Sequence, residues 1–109
     1  MKVELLWWEG CPSYDGALEQ LKQVLREEGL DAEAVELREI ESDEQARRER
    51  FPGSPTIRIE GQDVVAPAEG EPMTLTCRLY RLRDGRPSPT PDPLDLRDAV
   101  RAAKERMPA

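Results

Sequence analysis

The spacing of apolar and polar residues predicts five strands, two of them paired in a hairpin. Residues 2–8 form an apolar run interrupted mainly by Glu4, which is typical of a central strand covered on both faces. Polar and apolar residues alternate over residues 33–38 and predict a second strand. Two β-branched segments within residues 56–65 flank a glycine-containing turn and predict a hairpin. Another short strand is expected within residues 75–82.

Three segments have helical patterns. The first begins near Pro12, which suits the first helical position, and its apolar residues recur three and four positions apart. A capping-box pattern starts at Ser42 and predicts a short charged helix that ends near Phe51. Asp92 is expected to cap a last helix with Pro93 at its first position. The buried stripe predicted for that helix contains Leu96, Val100, Ala103 and Met107.

The order of these elements defines a fold class. Strand, helix and strand within about forty residues predict a right-handed βαβ unit with parallel strands. The later hairpin adds antiparallel strands, so the central sheet is expected to be mixed and flanked by helices. The chain of 109 residues is long enough for one modest core. We therefore predict a single α/β domain over residues 1–109.

Charge and hydropathy exclude several partners. The net charge is −7, with 16 basic against 23 acidic residues, so no basic surplus exists to neutralise phosphates. Nucleic acid is therefore not expected as the main partner. No stretch approaches the roughly 20 apolar residues that span a membrane, and no secretory leader is visible. We expect no membrane association and a cytoplasmic location.

The residue types present restrict the chemistry further. Histidine is absent, which excludes Ser-His-Asp, Cys-His and histidine-based zinc sites within one chain. The two cysteines, Cys11 and Cys77, are too few for an all-cysteine zinc site or the usual all-thiolate iron–sulfur cluster. No cofactor is expected. In a cytoplasmic chain, such cysteines are more often catalytic, redox-active or metal-binding than structural.

Cys11 is the strongest candidate for chemistry because of its place in the pattern. It lies between the first predicted strand and the first predicted helix, in the turn Gly10-Cys11-Pro12-Ser13. The positive end of a helix dipole favours the thiolate, which is the reactive form of cysteine. The alternative is a buried, inert cysteine at the end of a strand.

Two segments carry a resemblance to a known family. The residues Trp8-Glu9-Gly10-Cys11-Pro12-Ser13-Tyr14 and the turn Gly53-Ser54-Pro55-Thr56 resemble the thioredoxin-like superfamily, especially its glutaredoxin-like branch. More narrowly, the Cys-Pro-Ser-Tyr motif is similar to that of small bacterial proteins of the thioredoxin family. The resemblance covers residues 2–66 and the final helix, and residues 67–91 have no counterpart. It implies a thioredoxin-like fold and thiol–disulfide exchange with Cys11 as the nucleophilic thiol.

The resemblance also implies a substrate groove. Pro55 matches the family's cis-proline, and the backbone of Ser54 would pair with an extended substrate such as glutathione or a peptide. Thr56 follows in the same turn. Trp8 would form a wall of the site, and Tyr14 would donate a hydrogen bond to the Cys11 sulfur. The alternative for both aromatic residues is packing in the core.

The chain departs from the family pattern at one position. A dithiol motif would have a second cysteine three residues after the first, where this chain has Tyr14. Cys77 is the only internal candidate for a resolving thiol, and the alternative is a buried bystander on a Leu75-Cys77-Leu79 strand face. The expected partner is a disulfide-containing protein or a low-molecular-weight thiol.

Two other functions are compatible with the same residues. Two close thiolates suffice for linear coordination of a soft ion such as mercury or copper. The fold without the chemistry would leave a non-catalytic thioredoxin-like adaptor. Whether the chain is an enzyme is therefore left open by its sequence.

Overall fold

The computed structural model describes residues 1–107 and has a four-stranded mixed sheet at its centre. Its strands are β1 (Val3–Trp7), β2 (Glu36–Glu39), β3 (Thr56–Ile59) and β4 (Gln62–Asp63). Their order in the sheet is β2-β1-β3-β4, with β1 parallel to β2 and antiparallel to β3. The predicted mixed α/β sheet is confirmed.

Helices cover both faces of this sheet within the described residues. They are α1 (Tyr14–Glu27), α2 (Asp43–Glu49) and α3 (Pro93–Arg106). The main core lies between the sheet, α1 and α3, and its buried members are Val3, Leu5, Ala17, Leu21, Val24, Leu25, Ala32, Ile57, Ile59, Leu96, Val100 and Ala103. A smaller core on the other face contains Leu6, Ile40, Ala46 and Phe51. None of the described helices combines the length and apolar character needed to cross a bilayer.

Strand β1 is buried on both faces, but one of those faces is partly charged. Glu4 shares a face with Leu6, because side chains alternate along a strand, and it is only 3% exposed. The Arg38 guanidinium lies 3.0 Å from the Glu4 carboxylate and also pairs with Glu49 at 3.0 Å. Glu4 is therefore compatible with a central strand because a buried charge is tolerated when it is paired.

Helix α1 begins later than its sequence pattern predicts. Its first residue is Tyr14 and its N-cap is Ser13, so Pro12 lies before the helix. The Cys11 N–H donates to the Trp8 carbonyl at 3.0 Å, which holds the preceding residues in a turn. Helical bonding starts only when Ala17 N–H donates to the Ser13 carbonyl.

The second strand is also displaced from its predicted range. Residues Ala32–Ala34 form a 3-10 turn, and β2 starts at Glu36. The Asp31 carboxylate accepts the N–H of Glu33 at 2.9 Å and so stabilises the turn instead of an extended chain.

The predicted caps of the two later helices are confirmed. Ser42 accepts the N–H of Gln45, and Asp92 accepts the N–H of Leu94. Met107 does not join the buried stripe of α3, because the helix ends at Arg106 and the methionine is 42% exposed.

The segment between the hairpin and α3 contains a separate two-stranded ladder. It consists of β5 (Tyr80–Arg81) and β6 (Pro87–Ser88), which pair antiparallel. Of the strand predicted over residues 75–82, only Tyr80–Arg81 pair as part of this two-stranded sheet. The residues before Tyr80 pair with another part of the molecule, described next.

Candidate functional site

Cys11 lies in the turn between β1 and α1 and is nearly enclosed. Its residue is 1% exposed, and its thiol donates a hydrogen bond to the Ser54 carbonyl at 3.4 Å. The same Ser54 accepts, through its hydroxyl, the N–H of Trp8 at 3.0 Å. These two contacts hold the Cys11 turn against Ser54, the residue before Pro55.

Residues 74–80, which we call the strap, run alongside that same part of the chain. The N–H of Thr74 donates to the Phe51 carbonyl at 3.1 Å, and the N–H of Ser54 donates to the Thr76 carbonyl at 2.8 Å. The Arg78 N–H then donates to the Ser54 carbonyl at 2.8 Å. These bonds form a parallel bridge between Ser54 and Cys77. Both cysteines are thereby brought next to Ser54.

Arg78 anchors the strap in the interior. Its guanidinium lies 2.8 Å from the Asp63 carboxylate and 2.6 Å from the Val65 carbonyl, to which it donates hydrogen bonds. It also donates to the Thr56 hydroxyl at 3.3 Å. The arginine is 5% exposed, so this pair is formed away from bulk water, where paired charges interact strongly. The strap is a bound part of the fold.

Gly53 makes this close approach of the strap possible. Its φ is +150°, a conformation that residues with a Cβ rarely adopt. A Cβ placed there would lie 3.0 Å from the Cα and N atoms of Arg78. The glycine therefore lets two backbone segments come within hydrogen-bonding distance at Ser54 and Arg78.

The strap directs alternate residues inward and outward. Arg78 and Tyr80 are buried, and the Tyr80 hydroxyl donates to the Pro55 carbonyl at 2.6 Å. Cys77 is exposed, and Leu79 is 63% exposed. The alternative of a buried bystander on a Leu75-Cys77-Leu79 face is therefore wrong. The physical reason is that Arg78 points inward to pair with Asp63, so its neighbours Cys77 and Leu79 point outward along the extended chain.

The two thiols perturb each other. Burial by itself raises the pKa of the Cys11 thiol, but hydrogen bonds from Cys77, Ser13 and Ser54 outweigh it, and the pKa lies below its ordinary value. The hydrogen bond to Cys11 raises the pKa of Cys77, and burial and the negative charge on Cys11 add to this. The two shifts are opposite in direction, so the negative charge is favoured on Cys11 over Cys77.

The expected substrate groove is closed in this structure. The Ser54–Pro55 peptide bond is cis, as the family resemblance implies. However, Ser54 and Thr56 are 0% exposed and Pro55 is also fully buried. The Ser54 N–H and carbonyl, expected to pair with a substrate, bond instead to Thr76 and Arg78. The expectation of free pairing groups at Ser54 is therefore corrected, because the strap already occupies them.

The two aromatic candidates pack into the protein. The Tyr14 ring stacks on Trp7 with centroids 4.5 Å apart, and both rings pack against the main core. Trp8 packs against the smaller core, and its ring lies where a Cβ on Gly10 would be. The bonds that lower the pKa of Cys11 come from other residues, so the structure gives Tyr14 and Trp8 packing roles.

Sequence reasoning missed two contributors to this site. Ser13 donates hydrogen bonds that lower the pKa of Cys11, and its strong preference for helix N-caps is a signal that could have identified it. The Arg78–Asp63 pair has no such signal. Its partners come from an irregular segment and a hairpin, and no periodic pattern connects them.

The arrangement can perform thiol chemistry with two sulfurs. Cys11 and Cys77 are both free thiols, and each shifts the pKa of the other. Across residues 1–107, no group of three or more acidic or cysteine side chains could hold a metal ion. Comparison of the chain with protein-family models, curated proteins and solved structures finds no match.

Proposed function

We propose that this protein carries out thiol–disulfide exchange by cycling Cys11 and Cys77 between two thiols and one intramolecular disulfide. The observation that carries the proposal is the pairing of Cys77 in the strap with Ser54, the residue whose carbonyl also accepts the hydrogen bond of the Cys11 thiol. A thioredoxin-like fold belongs to the same proposal, supported by the order of elements and by Cys11 before α1.

The electrostatics favour such an exchange. A thiolate is the nucleophile in disulfide chemistry, and the lowered pKa of Cys11 increases its thiolate population near neutral pH. A thiol with a lowered pKa is also a better leaving group when the disulfide is reduced. The absent Cys-x-x-Cys motif is replaced in this proposal by a cysteine that the strap supplies from 66 residues later in the chain (77 − 11).

A thiol count and peptide mapping test the proposal. The purified, reduced protein is treated with glutathione disulfide, and free thiols are counted before and after. We expect the two thiols to be lost together, a single Cys11–Cys77 peptide to appear, and dithiothreitol to reverse the change. The Cys11→Ser and Cys77→Ser variants should each keep the fold and lose the intramolecular product. Two thiols that remain free, or bridges formed only between molecules, would contradict the proposal.

The same pair of thiols supports a second candidate function. Two adjacent thiolates can coordinate a soft ion such as mercury or copper linearly. Turnover separates the two functions, because an oxidoreductase catalyses the reaction of glutathione with a disulfide, whereas a metal-binding protein holds one equivalent of ion and catalyses nothing. The adaptor alternative predicts a Cys11 pKa near that of free cysteine, and the lowered pKa of Cys11 speaks against it.

A further inference from the structure

The two thiols of the proposed redox pair differ sharply in their access to solvent. Cys11 is 1% exposed, and its thiol is hydrogen-bonded to the Ser54 carbonyl. Cys77 is exposed on the outward side of the strap. A substrate sulfur must approach an attacking sulfur along the axis of the bond that breaks. That approach is open at Cys77 and obstructed at Cys11.

The strap also limits what kind of substrate can bind here. An extended peptide would need free backbone groups with which to form strand-like hydrogen bonds. The N–H and carbonyl of Ser54 are already bonded to Thr76 and Arg78, at 2.8 Å each. The buried Arg78–Asp63 pair resists removal of the strap, because its opening would separate a charge pair that is 3% and 11% exposed. A small substrate that needs no backbone pairing is the one that fits.

The geometry points to Cys77 as the thiol that exchanges with external substrates, to low-molecular-weight disulfides as those substrates, and to Cys11 as the internal thiol that completes the exchange. This inference rests on the proposed function and assigns its order of events. It reverses the order that the family resemblance implies, in which Cys11 attacks first and Cys77 resolves.

The chemical steps balance with a low-molecular-weight disulfide, RSSR, as the oxidant. The Cys77 sulfur attacks one sulfur of RSSR while its proton passes to the Cys11 thiolate. A mixed disulfide, Cys77–S–S–R, forms and RS⁻ leaves. Cys11 then loses its proton to solvent and attacks the Cys77 sulfur, which releases a second RS⁻. The protein has become oxidised to the Cys11–Cys77 disulfide, and RSSR has been reduced to two thiols.

The return reaction follows the same order in reverse. An incoming thiolate RS⁻ attacks the accessible Cys77 sulfur of the protein disulfide, and Cys11 departs as a thiolate. This direction of cleavage is favoured because the thiol with the lower pKa is the better leaving group. A second RS⁻ attacks the R sulfur of the mixed disulfide, releases RSSR and leaves Cys77 reduced.

Labelling of the unmodified protein tests the inference without any variant. The fully reduced protein is treated with substoichiometric iodoacetamide at a pH above the ordinary cysteine value, and the labelled cysteine is identified by peptide mapping. Ionisation alone would make Cys11 react first, because its pKa is the lower of the two. We expect the solvent access of the sulfur to outweigh its ionisation, so that Cys77 is labelled at least about tenfold faster than Cys11. Faster labelling of Cys11 would overturn the inference.

Single variants then locate the mixed disulfide. With glutathione disulfide, Cys11→Ser is expected to accumulate one glutathione on Cys77, because no internal thiol can displace it. The Cys77→Ser variant is expected to react at Cys11 at least about tenfold more slowly than the Cys11→Ser variant reacts at Cys77. Both rates are measured at a pH where each thiol is ionised. Faster reaction of Cys77→Ser would assign the external step to Cys11.

An extended cystine-linked peptide with a matched leaving thiol should react no faster than glutathione disulfide, and a clear preference for the peptide would overturn the substrate class.

The outcomes separate this inference from the proposed function. If the unmodified protein forms no Cys11–Cys77 disulfide with glutathione disulfide, the proposed function fails. If that disulfide forms but glutathione is found first on Cys11, the exchange function stands and the assigned order fails.

Discussion

At the scale of single residues, the pKa of the Cys11 thiol reflects a balance between its burial and the side chains around it. Burial opposes the thiolate, since removing an ion from water is unfavourable. The Cys77 side chain is the largest of the influences that lower the pKa of Cys11, ahead of Ser13 and Ser54. The pKa of Cys11 is therefore lowered by Cys77, the residue with which it is proposed to form a disulfide.

This dependence predicts the effect of removing Cys77. We expect Cys77→Ala to raise the first thiol pKa of the reduced protein, because burial at Cys11 is then opposed only by Ser13 and Ser54. Titration of the thiolate by its ultraviolet absorbance, under a phosphine reductant, measures the change. Leu79→Ala is the matched control, since it truncates an exposed neighbour on the strap and should leave this pKa unchanged. A first pKa equal to or lower than that of the unmodified protein would contradict the expectation.

At the scale of elements, the strap behaves as an added strand whose position is set by one buried ion pair. Backbone bonds at Thr74, Thr76 and Arg78 align it with residues 51–54. The Arg78–Asp63 pair at 2.8 Å then ties it to β4. A buried pair is costly to break because the remaining charge is left without a partner. The separation of the two thiols is thus controlled by residues that perform no chemistry themselves.

Substitution of Arg78 tests this control. We expect Arg78→Met to lower the free energy of unfolding by about 3–5 kcal/mol, measured by urea denaturation, because Asp63 loses its buried partner. Formation of the Cys11–Cys77 disulfide should become slower in the same variant. Arg81→Met is the control, because Arg81 is exposed and its side chain bonds only to the Gly85 carbonyl among the described contacts.

A double substitution sharpens that test. Replacing both charges, with Arg78→Met and Asp63→Leu together, should recover much of the lost stability, since no unpaired charge remains. An Arg78→Met variant as stable as the Arg81→Met control would show that the ion pair does not hold the strap.

At the scale of the whole molecule, the coupled thiols connect folding to pH. The lowered pKa of Cys11 means that the unfolded chain binds more protons than the folded one from that pKa up to the ordinary cysteine value. Stability therefore rises with pH in that window. The raised pKa of Cys77 reverses the sign above the ordinary value, where the folded protein retains a proton that the unfolded chain has lost.

The pair should therefore contribute most to stability close to the ordinary cysteine pKa of about 8.5. Urea denaturation of the reduced protein at a series of pH values measures this, with the Cys11→Ala/Cys77→Ala double variant as the reference. We expect the difference between the two proteins to rise with pH, reach a maximum and then fall. A difference that is constant with pH, or that only falls, would exclude the assigned shifts.

Local patterns were sufficient to predict most of the architecture. The apolar run at β1, the stripe of α1 and the caps at Ser42 and Asp92 are encoded by residues close together in sequence, and the structure confirms them. The position of Cys11 between a strand and a helix follows from the same patterns. These features were predictable because hydrophobic periodicity and capping depend on neighbours within a few positions.

Only the tertiary structure decided how the site is closed and which thiol faces solvent. The strap lies within residues 67–91, a segment rich in proline and glycine, and its short strand pattern does not reveal which part of the chain it pairs with. Its alignment with Ser54 depends on Gly53 and on the pairing of Arg78 with Asp63, contacts between residues that are 15 or more positions apart. Such long-range contacts are set by the packing of the whole chain. The sequence therefore identified the two sulfurs, and the fold determined their proximity, their ionisation and their access.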